Sequence, residues 1–186
     1  MPSQTNSEME STPRLSWPDS LDQNLQDLRE KRNTQHSGNP LHIAVVGIGH
    51  ELRGDDAAGV IVARGLMPIL ASRDSFLVID AGPAPENFTG HLRRFKPDLV
   101  LLIDAAQMQE TPGTIRWLDW RETSGISAST HTLPPYVLAE YLVSELGCQV
   151  ALLGIQVQDN SLGAPLSTPV EQAIESIMQN IAALKL

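Results

Sequence analysis

Carboxylates follow three apolar runs of the sequence, and their positions give the first indication of chemistry. Asp55 and Asp56 come shortly after one apolar run, while Asp80 and Asp104 each follow an apolar run directly. An ionised carboxylate after a buried strand needs hydrogen-bond donors or a cation, because an unpaired charge is costly to bury. Such a cluster suits two roles, the binding of a divalent metal and general base catalysis. The structural alternative, a carboxylate that bonds to loop N–H groups, competes most strongly at Asp80.

One histidine could add a nitrogen ligand to this cluster. His131 lies in the sequence Ser-Thr-His-Thr-Leu (129–133), where we predict that a helix begins. On its own, a histidine at such a position is more often a surface or capping residue than a ligand. Together, two carboxylates and one imidazole would form an O,O,N site for a borderline divalent metal.

The glycine turn before the acidic pair does not match a nucleotide-binding loop. Gly47 and Gly49 follow an apolar run, but a dinucleotide-binding fingerprint requires glycine where Leu52 stands. A phosphate-binding loop requires Gly-Lys-Ser/Thr, which the turn lacks. Asp55 and Asp56 would also repel a phosphate, so we expect a cation here rather than a nucleotide. One of these two carboxylates is expected to cap the helix that follows.

The sequence lacks the common motifs of serine hydrolases and zinc proteases. Neither Gly-x-Ser-x-Gly nor His-Glu-x-x-His occurs. The single cysteine, Cys148, opens a predicted strand and is interpreted as a small buried apolar residue rather than a reactive thiol. Any hydrolysis must therefore rely on a metal and on carboxylates.

Apolar strands alternate with helical patterns after residue 41. The predicted strands are 43–46, 76–79, 99–103, 114–118 and 149–157, and the predicted helices are 57–70, 86–95, 131–146 and 170–184. Fully apolar strands are typical of a parallel sheet that is covered on both faces. We therefore predict an α/β fold with three layers, in which helices flank both faces of a twisted, mostly parallel sheet. The carboxyl ends of its strands meet at one crevice, so the predicted carboxylates should lie near one another.

Residues 1–40 differ in composition from the rest of the chain, because they are dense in Ser, Asn, Gln, Pro and charge. We predict a disordered N-terminal extension there, followed by one domain over residues 41–186. Leu21, Leu25 and Leu28 could line one face of a short helix within the extension, free or loosely docked.

The composition of the 186-residue chain limits its partners. A net charge of -9 argues against nucleic acid or an anionic membrane as the main partner. One cysteine rules out a disulfide framework and a thiolate metal cluster. No apolar stretch is long enough to span a bilayer, and no signal-peptide pattern opens the sequence. We expect a cytoplasmic monomer.

Four motifs, in this order, resemble the hydrogenase maturation endopeptidases. They are Gly47-x-Gly49 with Asp56-x-x-Gly59, Val78-Ile-Asp80-x-Gly82, Leu102-Ile-Asp104-Ala and Thr130-His131-x-x-Pro134. The resemblance runs from about residue 42 to the C-terminus and is nearest to the branch that processes hydrogenase 3. The segments 84–87 and 153–156 support that branch. His50 and Val157 depart from the usual pattern, which has asparagine and proline there, and these differences bear on substrate choice.

The resemblance implies an endopeptidase that removes the C-terminal peptide from the nickel-loaded precursor of a [NiFe]-hydrogenase large subunit. It assigns the metal contacts to Asp56, Asp104 and His131, and Asp56 or Asp104 would act as the general base. The nickel would be delivered within the substrate, whose cysteines supply the soft ligands that this chain lacks. The alternative hypothesis is a metal-sensing checkpoint or metallochaperone that binds the same subunit without cutting it.

Overall fold

The strands form one mixed sheet that is mostly parallel. The computed structural model describes residues 15–34, 40–123 and 134–186. In that part of the chain the strands are β1 (Ile43–Ile48), β2 (Phe76–Gly82), β3 (Leu99–Ala106), β4 (Ile115–Leu118) and β5 (Gln149–Gln156). They lie in the order β2-β1-β3-β5-β4, with β4 antiparallel to β5 and the other pairs parallel. The predicted mostly parallel sheet is confirmed.

Helices cover both faces of this sheet. They are α1 (Trp17–Thr34), α2 (Ala58–Leu70), α3 (Thr89–Phe95), α4 (Pro135–Leu146) and α5 (Thr168–Ala183). Short 3-10 turns occupy Gly54–Ala57, Pro85–Phe88 and Trp120–Glu122. Apolar residues of α1, α2 and α5 pack on one face, and those of α3 and α4 pack on the other. The strands contribute to both cores because successive side chains point to opposite faces. The predicted three-layer arrangement is confirmed.

Two predicted helices have different bounds in the structure. The predicted helix over 86–95 is divided into the turn Pro85–Phe88 and α3. Pro85 suits the first turn of either kind of helix, because its missing N–H would have no partner there. The described part of the predicted helix over 131–146 begins at Pro135, and residues 131–133 lie outside the described residues.

The predicted disorder of residues 1–40 is wrong for residues 17–34. Trp17, Leu21, Leu25 and Leu28 of α1 are buried in the same apolar cluster as the central strands. Arg32 also pairs with Asp98, with Nη2 3.1 Å from Oδ1. The polar average of this segment hides an i, i+4, i+7 leucine stripe, and that stripe is enough to fix a helix on the sheet. Residues 1–14 and 35–39 of the predicted extension lie outside the described residues.

No helix within the described ranges is long and apolar enough to cross a membrane.

Candidate active site

Close backbone contacts at three glycines hold the loop after β1 against the carboxyl ends of β1 and β3. We call this loop, residues 49–57, the acidic loop because it carries Asp55 and Asp56. A Cβ on Gly47 would lie 2.0 Å from the carbonyl oxygen of Gly59, and a Cβ on Gly59 would lie 2.2 Å from that of Ile103. Gly49 has a φ of 140°, and a Cβ there would lie 1.8 Å from the carbonyl oxygen of Asp56. Any larger residue would force the start of α2 away from the sheet, so glycine is required at these positions.

This packing places two carboxylates in one crevice. Asp56 lies in the 3-10 turn before α2 and is only 4% exposed. Asp104 lies in β3, next to the last residues of the strand, and keeps partial contact with solvent. The 3-10 turn that carries Asp56 packs against β3, which carries Asp104, and the negative charge of Asp56 acts on Asp104. We call Asp56 and Asp104 the carboxylate pair.

The environment of the carboxylate pair disfavours its charged form. Burial is the main cause that raises the pKa of Asp56, opposed by the backbone amide of His50 and the charges of Arg53 and His50. Burial, and then the charge of Asp56, raise the pKa of Asp104 to about 7, against a hydrogen bond from the Ala105 amide. A carboxyl with this pKa can take up or release a proton near neutral pH. A cation at the pair would instead favour both charged forms.

The predicted metal ligand set is only partly visible. Asp56 and Asp104 lie at the same end of the sheet, whereas His131 lies outside the described residues. Among the residues that are described, no group of three His, Cys, Asp or Glu side chains could hold a metal. The two carboxylates offer oxygen ligands only, and the complete O,O,N set therefore stays a prediction.

Asp55 has a different role from its neighbour. It is fully buried, and its carboxylate accepts hydrogen bonds from the backbone N–H groups of Gln158 (2.7 Å), Asp159 (3.0 Å) and Ser167 (2.8 Å). The hydroxyl of Ser167 donates a fourth bond, at 2.9 Å. The prediction that Asp55 or Asp56 caps the helix is wrong, since neither side chain makes a capping bond to the 3-10 turn or to α2. Asp55 instead fastens the segment 158–167, which sequence reasoning missed.

Asp80 supports one side of the crevice through an ion pair. Its Oδ2 atom lies 2.6 Å from Nε of Arg64 on α2. Nη1 of the same arginine lies 2.7 Å from Oε2 of Glu51, in the loop after β1. In the sheet register, Gly47 pairs with Asp80 on one side and with Ile103 on the other. Asp80 and Asp104 therefore flank β1, and Asp80 already has its counter-ion.

Gln156 organises the loop that follows β3, and the chemical search of the sequence did not single it out. Its side chain is buried, and its Oε1 accepts the N–H groups of Met108 (2.7 Å) and Glu110 (3.2 Å). Its Nε2 donates to Oε1 of Gln107 (2.6 Å) and to the carbonyl of Val157 (2.9 Å). The only signal for this role was an amide residue at the end of an apolar strand.

The family model described as HycI, hydrogenase maturation protease, matches residues 60–184, which include Asp104. The chain belongs to the hydrogenase maturation protease family. The predicted resemblance is confirmed.

Individual relatives of this protease family agree with that assignment. The hydrogenase 3 maturation protease of Escherichia coli K12 is 32% identical over 135 residues, which are 72% of this chain and 85% of the relative. The crystal structure of a [NiFe] hydrogenase maturation protease HycI from Thermococcus kodakarensis matches with a TM-score of 0.70 and 32% identity. That match covers 78% of this chain and 92% of the other. The solution structure of an endopeptidase HycI from Escherichia coli matches with a TM-score of 0.67 and 31% identity, over 75% and 88% of the two chains.

Proposed function

We propose that this protease removes the C-terminal peptide from the precursor of a [NiFe]-hydrogenase large subunit after nickel has been inserted. Membership of the family supports peptide-bond hydrolysis on a hydrogenase precursor. The observation that carries the proposal is the carboxylate pair, in which Asp56 is buried and Asp104 is partly buried at one crevice. Such a pair has no evident structural use, because close like charges in a buried place destabilise a fold.

The nickel in this proposal belongs to the substrate. The precursor carries the nickel on its own cysteines. Oxygen atoms of Asp56 and Asp104 and the imidazole of His131 then contact the nickel. This division suits the donor set, because carboxylates are hard ligands and a precursor thiolate would supply the soft ones. The chain's single cysteine is unsuited to this use, since Cys148 is buried and burial raises the pKa of its thiol to about 11.

The carboxylate pair then supplies the proton transfers of hydrolysis. The oxygen of a water molecule attacks the scissile carbonyl carbon while Asp104, or Asp56 beside it, accepts the water's proton. The C–N bond breaks, and the same carboxyl returns the proton to the departing amine nitrogen. A carboxyl whose pKa is about 7 can serve in both steps near neutral pH.

The test is to incubate the purified protein with the nickel-loaded precursor and with the nickel-free precursor. The mass of each product, measured by mass spectrometry, reports cleavage. We expect the nickel-loaded precursor alone to lose its C-terminal peptide. If the protein binds that precursor and leaves its mass unchanged, the checkpoint or metallochaperone hypothesis is correct instead.

A further inference from the structure

Two exposed leucines lie on loops that a backbone hydrogen bond joins. Leu52 is 61% exposed and Leu162 is 72% exposed. The peptide bond between Leu162 and Gly163 donates its N–H to the carbonyl of Leu52 at 2.8 Å, which holds the two residues together. A single exposed leucine is ordinary on a protein surface, but two large apolar side chains at adjacent loop tips form a patch. We call Leu52 and Leu162 the leucine pair.

The two loops that carry the leucine pair form a rigid support. The Asp55 N–H donates to the carbonyl of Asp159 at 3.0 Å, and the Asp55 carboxylate accepts N–H groups from residues 158, 159 and 167. Gly54 packs so closely that a Cβ there would lie 2.5 Å from the carbonyl oxygen of Asp159. Because the loops are ordered by these bonds, a ligand that binds the leucines would lose little free energy in ordering them.

Leu52 of the leucine pair lies on the same loop as Asp56 of the carboxylate pair. Leu52 precedes Asp56 by four positions in one compact loop, in which the Asp56 N–H donates to Arg53 and the Arg53 N–H donates to His50. The carbonyl of Asp56 in turn accepts the His50 N–H at 3.1 Å. A polypeptide that binds at Asp56 therefore meets the loop that carries Leu52, and the segment that carries Leu162 is joined to that loop.

We propose that the leucine pair binds an apolar segment of the precursor polypeptide next to the scissile bond and so positions that bond over the carboxylate pair. This inference rests on the proposed function, because it takes the precursor as the polypeptide that occupies the crevice. The pair acts in substrate binding and takes no part in the proton transfers. Its loss must therefore weaken binding of the precursor and leave the chemical step intact.

The experiment compares Leu52→Ser, Leu162→Ser and the double variant in cleavage of the nickel-loaded precursor. We expect KM to rise about tenfold for each serine, the factor expected when the burial of one leucine side chain is lost, with kcat within about twofold of wild type. Leu52→Met and Leu162→Met should restore KM, because methionine keeps an apolar side chain of similar volume. Leu15→Ser is the matched control, since Leu15 is 63% exposed on a segment that precedes α1.

Binding of the precursor is measured separately, in an Asp104→Asn background that does not cut. The dissociation constant should rise in the same proportion as KM, while thermal unfolding of each variant stays at the wild-type temperature. The inference is overturned if the double variant keeps the wild-type KM, if Leu15→Ser raises KM equally, or if the serine variants lower kcat and unfold earlier. It is also overturned if the serine variants only abolish self-association in size-exclusion chromatography.

This arrangement separates failure of the inference from failure of the proposed function. If wild type binds the precursor without cutting it, the proposed cleavage is wrong, and the leucine pair is judged by the dissociation constants alone. If wild type neither binds nor cuts the precursor, both proposals are wrong.

Discussion

The acidic loop holds two neighbouring aspartates whose surroundings have opposite effects. One environment stabilises the charged carboxylate, and the other disfavours it. At Asp55, four hydrogen-bond donors surround a carboxylate that solvent does not reach. One residue further on, burial raises the pKa of Asp56, and burial together with the charge of Asp56 raises the pKa of Asp104. The two aspartates lie in the same turn of backbone. They differ in whether hydrogen-bond donors or a second carboxylate surround the carboxylate group.

The comparison shows that residue type and burial together do not define a reactive site. When both oxygens of a buried aspartate accept hydrogen bonds from a loop, the aspartate stabilises the position of that loop. Where a second carboxylate lies nearby and such donors are missing, the charged form is disfavoured. Binding a proton or a cation then stabilises the site. If the two roles are separable, a substitution at Asp55 should change stability and a substitution at Asp56 should change catalysis.

The largest effect is expected at the carboxylate pair. Asp56→Asn and Asp104→Asn should each lower kcat for cleavage of the nickel-loaded precursor by about 10²–10⁴-fold, the usual contribution of a general base. Each amide keeps the size of the side chain and removes its charge, so circular dichroism should show an intact fold. We predict a similar loss for His131→Ala, as the third metal contact. Cleavage that survives in all three variants would mean that the metal contacts lie elsewhere.

The next effect is on stability and is expected at Asp55. Asp55→Asn should lower the free energy of unfolding by about 2–4 kcal/mol, because the new amide group turns its own N–H donors toward backbone donors. Urea unfolding at neutral pH measures this loss. Asp56→Asn is the matched control, since it changes the adjacent residue in the same way and should not destabilise the protein. Equal losses in the two variants would contradict the division of roles.

The carboxylate cluster could be predicted from the sequence, whereas the hydrogen bonds to Asp55 could not. The carboxylates that follow the apolar strands were predicted to lie near one another, because strand ends in a parallel sheet meet. The family resemblance then selected Asp56 and Asp104 among them as metal contacts. The donors to Asp55 come from residues as far as 103 and 112 positions away in the sequence, so no local pattern identifies them. The leucine stripe of α1 indicated a helix that could dock loosely, but its full burial was not predicted because the average composition of the segment is polar.

A pH-dependent effect should separate Asp104 from well-satisfied carboxylates. The pKa of Asp104 is about 7 in the folded protein, against about 3.9 when unfolded. Between these values the folded state holds a proton that the unfolded state has released, so this group's contribution to stability falls as pH rises from 4 to 7. Asp104→Asn should therefore stabilise the free protein by about 2 kcal/mol at pH 8 and very little at pH 4, after allowance for the partial exposure of the side chain.

Urea unfolding of wild type and Asp104→Asn at both pH values measures this difference. Asp55→Asn, measured in parallel, should stay destabilising at pH 8. If the stability difference between wild type and Asp104→Asn does not change with pH, burial and the charge of Asp56 do not raise the pKa of Asp104.

The smallest effect is expected at Asp80, which lies near the C-terminal end of β2 and already has a counter-ion. Arg64 pairs with both Asp80 and Glu51 at a half-exposed position, and exposed ion pairs contribute about 0–1 kcal/mol to stability. Asp80→Asn should accordingly unfold within about 1 kcal/mol of wild type and lower kcat/KM only a few-fold, through a looser Glu51 loop. Arg64→Gln breaks the same ion pair from the other side and should reproduce both values. A loss in kcat for Asp80→Asn as large as that for Asp104→Asn would place Asp80 in the chemistry, because a supporting ion pair cannot account for an effect of that size.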